Sequence, residues 1–464
     1  MKKGSYLEEV RNQYENYPYP ARDPKDEKGV LIFSKSSSLD CFNYFCFDGE
    51  RDFTKPFRVL IAGGGTGDCT IYFAEQLRDT PAEIVYLDMS KASMDVAKAR
   101  AKVRKLNNIK WVHDSLLNLP NSDLGKFDYI NCTGVLHHLA DPQAGLDALK
   151  SVLHSEGSIF LMLYAQHGRT SIYQMQDLLR RVHANEPDIQ KRIDRTKVLL
   201  NSLPEGNWFN FNSGAYGFDL QSDIGIYDLL LHPQDRAYTV SELYEYVENS
   251  GLVLNKLFNP DHPMGDMLFQ PETFIKDQET LEGVKKQSFR EQAAICELMF
   301  GQLMKQCCFI SFKEKTPPPL NDLNLIPSIS MTATSENRYE KLKSAFLGHS
   351  PKIEINQYVS FNRSKFAAEI FKAIDGKASS KEIIEKVHGL FGQELDIKIV
   401  ENHYKSIIDI LIKVTMLYLR KPGTQPYQTI PQMLGRMHEI YGEKVCKKAH
   451  QAYLSKMQSL LQAK

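Results

Sequence analysis

The run Val59-Leu60-Ile61-Ala62-Gly63-Gly64-Gly65-Thr66-Gly67 constrains this chain more than any other stretch. Apolar residues lead straight into glycines, which predicts a buried strand, a tight turn and a helix from Asp68 to Leu77. With no side chains at Gly63, Gly65 and Gly67, a ligand can lie directly on the main chain at the helix N-terminus. At the carboxyl end of a first strand in an open α/β sheet, such a loop is a nucleotide-type site. The dinucleotide fingerprint G-x-G-x-x-G needs glycine where this chain has Asp68, so the spacing here is G-x-G-x-G.

Strand and helix continue to alternate beyond the loop. Ala82 to Leu87 predicts a second strand ending at Asp88, whose carboxylate can accept hydrogen bonds from both hydroxyls of a ribose. A helix from Ser90 to Leu106 has Ser90 as its N-cap. The third strand, Ile109 to His113, ends at Asp114-Ser115, where an acidic side chain can meet an adenine amino group. The fourth, Phe127 to Cys132, leads into Thr133-Gly134-Val135-Leu136-His137-His138-Leu139, and the fifth runs from Ser158 to Tyr164 after Glu156-Gly157. Alternation of this kind predicts a parallel, doubly wound α/β sheet.

On the glycine loop, Asp88, Asp114 and Leu136-His137-His138, residues 56–166 resemble a class I S-adenosylmethionine (SAM)-dependent methyltransferase. The resemblance implies a Rossmann-like, seven-stranded sheet, SAM as cofactor, and methyl transfer to a nitrogen or oxygen acceptor. It implies cofactor contacts from Ala62, Gly63, Gly64, Gly65, Gly67, Asp68, Asp88, Met89, Asp114, Ser115, Thr133 and Gly134. The family usually has an acidic residue two positions before the first loop glycine, and this chain has Ile61. That contact must come from carbonyls near Ala62 and Thr133, or from the N-terminal segment. A strand at Leu252 to Phe258 fits the sixth and Cys307 to Phe312 the seventh, with one strand inserted antiparallel.

The N-terminal segment is helical from Tyr6 to Tyr17 and breaks at Tyr17-Pro18-Tyr19-Pro20, because a residue before proline leaves the helical region. Its rings, with the aromatic-dense loop Phe42 to Phe47, either glue the extension to the sheet or form a lid. In the lid, Tyr17 and Tyr19 sit near the sulfonium, where a cation over a π face gains about 0.5–2 kcal/mol. The acceptor side is expected in the insertions after the fifth and sixth strands. Methyl transfer rests mainly on proximity, with a base needed only if the acceptor arrives protonated. The candidates for base or orienting group are His232, Asp228, His138 and Tyr238, with His137 beside them. Each histidine has a structural alternative: capping a helix, or fixing a turn before Pro233.

The segments are expected as an N-terminal lid over 1–55, a SAM-binding core over 56–167, substrate-side insertions with strands six and seven over 168–315, and a Pro-rich linker over 316–339. A winged-helix-like, mainly helical domain is expected over 340–425, and an amphipathic tail over 426–464. In architecture this resembles bacterial protein-lysine methyltransferases with a regulatory extension. The acceptor is then a protein lysine or a small molecule; the alternative is a catalytically silent SAM-binding regulator. At 464 residues the chain exceeds one hydrophobic core. Its 57 basic and 57 acidic residues give no basic face for nucleic acid, so the C-terminal domain is expected to bind protein or to form a homodimer. No signal peptide, membrane span or metal-ligand spacing stands out, and eight cysteines without C-x-x-C pairing fit the cytoplasm.

Overall fold

A computed structural model describes residues 8–211, 216–217, 219–260, 262–392 and 394–462. Tyr6 and Leu7, where the N-terminal helix was expected to begin, and Asn212 lie outside these residues. Helix α1 covers Glu8–Asn16 and α2 Leu39–Cys46. The central region alternates β1 (Arg58–Ala62), α3 (Asp68–Gln76), β2 (Glu83–Asp88), α4 (Lys91–Val103), β3 (Ile109–His113), β4 (Phe127–Thr133), α5 (Pro142–Ser151) and β5 (Leu153–Ala165). The short β6 (Ala237–Tyr238), β7 (Val253–Phe258) and β8 (Lys305–Ser311) complete one mixed sheet.

Its order is β3-β2-β1-β4-β5-β8-β7, with β6 paired beside β5. The strands β1 to β6 pair in parallel, while β8 runs antiparallel to both β5 and β7. This is a Rossmann-like sheet with one strand beyond the seven expected, the two-residue β6. Strand period two sorts the core: Val59 and Ile61 enter one apolar cluster, Leu60 and Ala62 the other, on opposite faces. The fifth strand starts five residues before its expected Ser158, and its register against β4 shifts between Leu153 and Ser158. Between β7 and β8 lie three helices, Pro271–Phe274, Gln278–Lys285 and Phe289–Phe300, the last two opened by Asp277 and Ser288 caps.

Of the aromatic stretch 42–47, expected as a loop, residues 42–46 form most of α2, every residue of which is buried, and Phe47 caps it. Phe42 stacks on Tyr129 of β4 at 4.3 Å, so the aromatic run is helical because it covers a sheet face. The C-terminal region is mainly helical, with helices Ala367–Ala373, Ser380–Phe391 and Ile397–Lys413. The strand after them, Leu417–Arg420, pairs antiparallel with Ile326–Ile329, inside the stretch expected as linker. Among the described residues no further strand comes after it to make a wing hairpin. This region shares a continuous apolar cluster with α2 and the sheet, through Tyr44, Phe45 and Tyr418. Two helices, Ile430–Tyr441 and Glu443–Gln462, close the chain, with Met433 and Met437 buried. Among the described residues no helix is long and apolar enough to cross a membrane.

Candidate functional site

At the carboxyl edge of β1 and β4 the sheet order reverses, and a cavity of about 580 Å³ opens there. The glycine loop forms its floor. Gly63 and Gly64 donate to Leu87 O at 2.8 and 3.1 Å, which folds the loop back onto β2. Gly63, Gly65 and Gly67 all have positive φ, and a Cβ on Gly64 would stand 2.2 Å from the Tyr86 ring. The Tyr86 hydroxyl donates to Gly65 O at 2.8 Å, a brace that the alternating strand pattern gave no reason to single out.

Asp88 ends β2 and accepts from Gly65 N at 2.7 Å and Ser90 N at 2.8 Å. Burial raises its pKa, and the two backbone donors oppose that shift. A carboxylate has about four lone-pair positions, so two remain for a pair of hydroxyls. Met89, Asp114, Ser115, Thr133 and Gly134 also line the cavity. The Asp114 carboxylate accepts from Ser115 N and from Asn118 Nδ2. Asp68 lines the cavity too, but its carboxylate is held by Arg22 and Arg100 at 2.7 and 2.6 Å. Ile61 faces the cavity, whereas Ala62 lies in the core of the opposite face.

The N-terminal segment covers the floor. Tyr14 and Tyr19 line the cavity, while Tyr17 packs on Tyr227 at 5.3 Å, outside it. Tyr19 donates to Asp219 at 3.0 Å, and Tyr14 donates to Asp228 at 3.2 Å. Asp228 projects from the helix Asp223–Leu230, whose start is fixed by the Ser222 cap. Its carboxyl is pushed up to about 7 by burial and then by neighbouring Asp219, with the Tyr14 hydrogen bond and Arg169 opposing. Tyr14 itself is held far above the ordinary phenol range by burial and by Asp228, so it stays a donor.

The backbone of Gln234 sets the tautomers of His232 and His138. His232 Nδ1 accepts from Gln234 N at 3.1 Å, so in the neutral ring the proton sits on Nε2, 3.4 Å from Tyr14 Oη. His138 Nδ1 donates to Gln234 O at 2.9 Å, leaving its Nε2 lone pair free in the neutral ring. Burial lowers both, His138 to about 4, so both rings are neutral at pH 7. They stack at 3.9 Å; His138 lines the cavity and His232 backs it. His137 is buried behind, stacked on Tyr164 at 3.9 Å. Tyr238 lies in β6 against Tyr246, away from the cavity lining.

Sequence reasoning missed Tyr164, Arg169 and Asp219, which all line the cavity. Arg169 lies 3.4 Å over the Tyr164 ring and pairs with Asp235. Only their position after β5 marks the first two, and nothing in the local sequence marks Asp219. Cys69 and Cys307 also line the cavity; of eight cysteines, none in a disulfide, Cys69 alone is half-buried and the rest are buried.

Residues 60–159 match the family described as a methyltransferase domain. An uncharacterised protein of Synechococcus sp. is 29% identical over 277 residues, covering 59% of this chain and 65% of that one. The tRNA 5-carboxymethoxyuridine methyltransferase of Escherichia coli K12 is 31% identical over 162 residues, covering 33% of this chain and 60% of its own length. The chain thus spans about three-fifths of the length of these curated relatives. In fold it is similar to PKMT2 from Rickettsia typhi, solved in complex with AdoHcy: TM-score 0.60, 14% identity, 84% of this chain and 76% of that one.

Proposed function

We propose that this chain, whose residues 60–159 match a methyltransferase-domain family, transfers a methyl group from SAM to an acceptor amine. One observation carries the reading: a single cavity has the glycine loop and Asp88 at one end and an Asp228 carboxyl poised near neutrality at the other. The cradle suits the cofactor, since only glycine leaves the loop's main chain open and Asp88 keeps lone pairs for ribose hydroxyls. When bound, SAM supplies an electrophilic methyl on a sulfonium.

The chain's own groups do the rest. Tyr14, Tyr19 and Tyr164 exclude water from the acceptor end, which strengthens every interaction there. Asp219 and Asp228 line that end together, and paired carboxylates attract an acceptor that arrives as an ammonium ion. Asp228 takes the proton, because a base works best with a pKa near the working pH. The freed nitrogen lone pair then attacks the methyl in line. His232, neutral and with Nε2 protonated, backs Tyr14 and does not act as the base. A protein lysine and a small-molecule amine both satisfy this chemistry. Eight thiols outside any disulfide support work in a reducing compartment.

Calorimetry with SAM and with its demethylated product on wild type and Asp88→Ala tests the cofactor half. Micromolar binding lost in the variant supports it; no binding by folded wild type sinks it and leaves a silent regulator.

A further inference from the structure

The segment between α1 and α2 crosses the cofactor loop as a strap. Thr66 Oγ1 donates to Pro20 O at 2.7 Å, and Arg22 forks onto Asp68 at 2.9 and 2.7 Å. Beneath the strap lies Arg100 of α4, 1% exposed. Its Nη1 donates to Thr66 O at 2.8 Å and to Asp68 at 2.6 Å, and its Nε donates to Glu27 at 2.7 Å. Glu27 belongs to the strap, is 3% exposed, and also pairs with Arg104. Arg104 reaches Glu75 of α3 at 3.3 Å. Glu75, fully buried, accepts from Arg436 of the helix Ile430–Tyr441 at 3.1 Å, and Arg436 pairs with Asp79 at 2.8 Å. An unbroken line of charge pairs thus runs from the C-terminal helix to the backbone of the cofactor loop.

The strap is gripped from the same side. Gly29 sits so close to the last helix that a Cβ there would stand 2.4 Å from His450 N and 2.6 Å from Cys446 O. His450 Nδ1 donates to Gly29 O at 3.1 Å, and Tyr441 donates to Val103 O at the end of α4 at 2.7 Å.

We propose that the buried chain Arg436–Glu75–Arg104–Glu27–Arg100 couples the seating of the C-terminal helix pair to the cofactor loop, with Arg100 as the positioning residue that fixes Thr66 and Asp68. The reason is electrostatic. A buried guanidinium keeps its place only while its carboxylates are present, because leaving a buried charge unpaired is costly. Arg100 is held by Glu27, Glu27 by the strap, and the strap by the C-terminal helices. Lifting those helices withdraws the anions that hold Arg100, and the loop carbonyl it anchors is released. The chain of pairs has two arrangements, closed and broken, and the cofactor favours the closed one by its contact with the loop. The ligand's part in this coupling rests on the proposed use of SAM as cofactor; the link from the C-terminal helices to the loop rests on the contacts themselves.

Glu27→Gln is the direct variant, but two buried arginines share that carboxylate and the protein can fail to fold. Arg436→Ala breaks the chain at its partly exposed end, Arg436→Lys restores the charge, and Gly29→Ala wedges the last helix outward. Binding of S-adenosylhomocysteine is measured by calorimetry, and amide exchange at residues 63–67 and 20–30 is followed without ligand. Arg436→Ala and Gly29→Ala are expected to weaken binding about tenfold, within the usual span of site-to-site coupling, and to speed exchange in both segments. Arg436→Lys should recover most of the affinity. Wild-type affinity and loop exchange in both variants, with only a lower melting temperature, would overturn the coupling. If wild type binds nothing yet the loop exchange still responds to Arg436→Ala, the cofactor reading fails and the coupling stands.

Discussion

At single positions, the two ends of the cavity obey different rules. Gly64 is fixed by space, since a methyl group there meets Tyr86 at 2.2 Å. Gly64→Ala should therefore abolish S-adenosylhomocysteine binding while keeping a cooperative melt, a result that calorimetry and circular dichroism together can check. Asp228 is fixed by charge. Its carboxyl lies near 7 folded against 3.8 as a free side chain, so the folded state holds the proton more tightly. Its contribution to stability is full below pH 4 and is lost as pH rises through 7, about 4 kcal/mol for a shift of about three pKa steps. Asp219, Asp235, Tyr14 and Arg169 act on this group, and Asp40 and Glu297, raised to about 6 and 7, titrate in the same direction. The test is thus a difference: Asp228→Asn should melt higher than wild type at pH 8, match it more closely at pH 5, and transfer methyl groups at least tenfold more slowly. The glycine loop was legible in the sequence because only one residue type tolerates its backbone. The shift at Asp228 was not, because it depends on burial and on Asp219, and sequence spacing reports neither.

Among the elements, caps were legible where the side chain makes a local bond. Thr239 accepts from Glu242 N, and Glu242 Oε2 accepts from Thr239 N at 2.8 Å, a reciprocal cap written within four residues. The Ser90 cap of α4 is equally local. Helix α2 was not legible, since Phe42-Asn43-Tyr44-Phe45-Cys46 has no polar face to show a helical period; it is buried all round. Phe42 packs against Phe53, Phe57, Phe73 and Tyr129. Phe42→Ala should cost about 3–5 kcal/mol in urea unfolding, whereas the exposed Phe211→Ala should cost almost nothing. Equal losses would mean that α2 does not carry this packing.

Taken whole, the molecule has no apolar boundary where the Pro-rich stretch suggested one. Residues 326–420 build their core onto α2 and the sheet, so the C-terminal region and the main sheet should unfold together. Calorimetry is expected to show one transition with equal calorimetric and van't Hoff enthalpies; two separated transitions would contradict the shared core. The linker expectation came from proline content, which marks where helices stop and says nothing of what packs beside the chain. The same dense interior leaves the molecule with a built-in reporter. Burial pushes the Cys46 and Cys296 thiols up to about 12, and seven of the eight cysteines are buried. Cys69 is the exception, half-buried where it lines the cavity beside the buried Cys307. Iodoacetamide should alkylate this single thiol in the folded protein, and a ligand that fills the cavity should shield it, so occupancy can be followed by mass spectrometry before any acceptor is known.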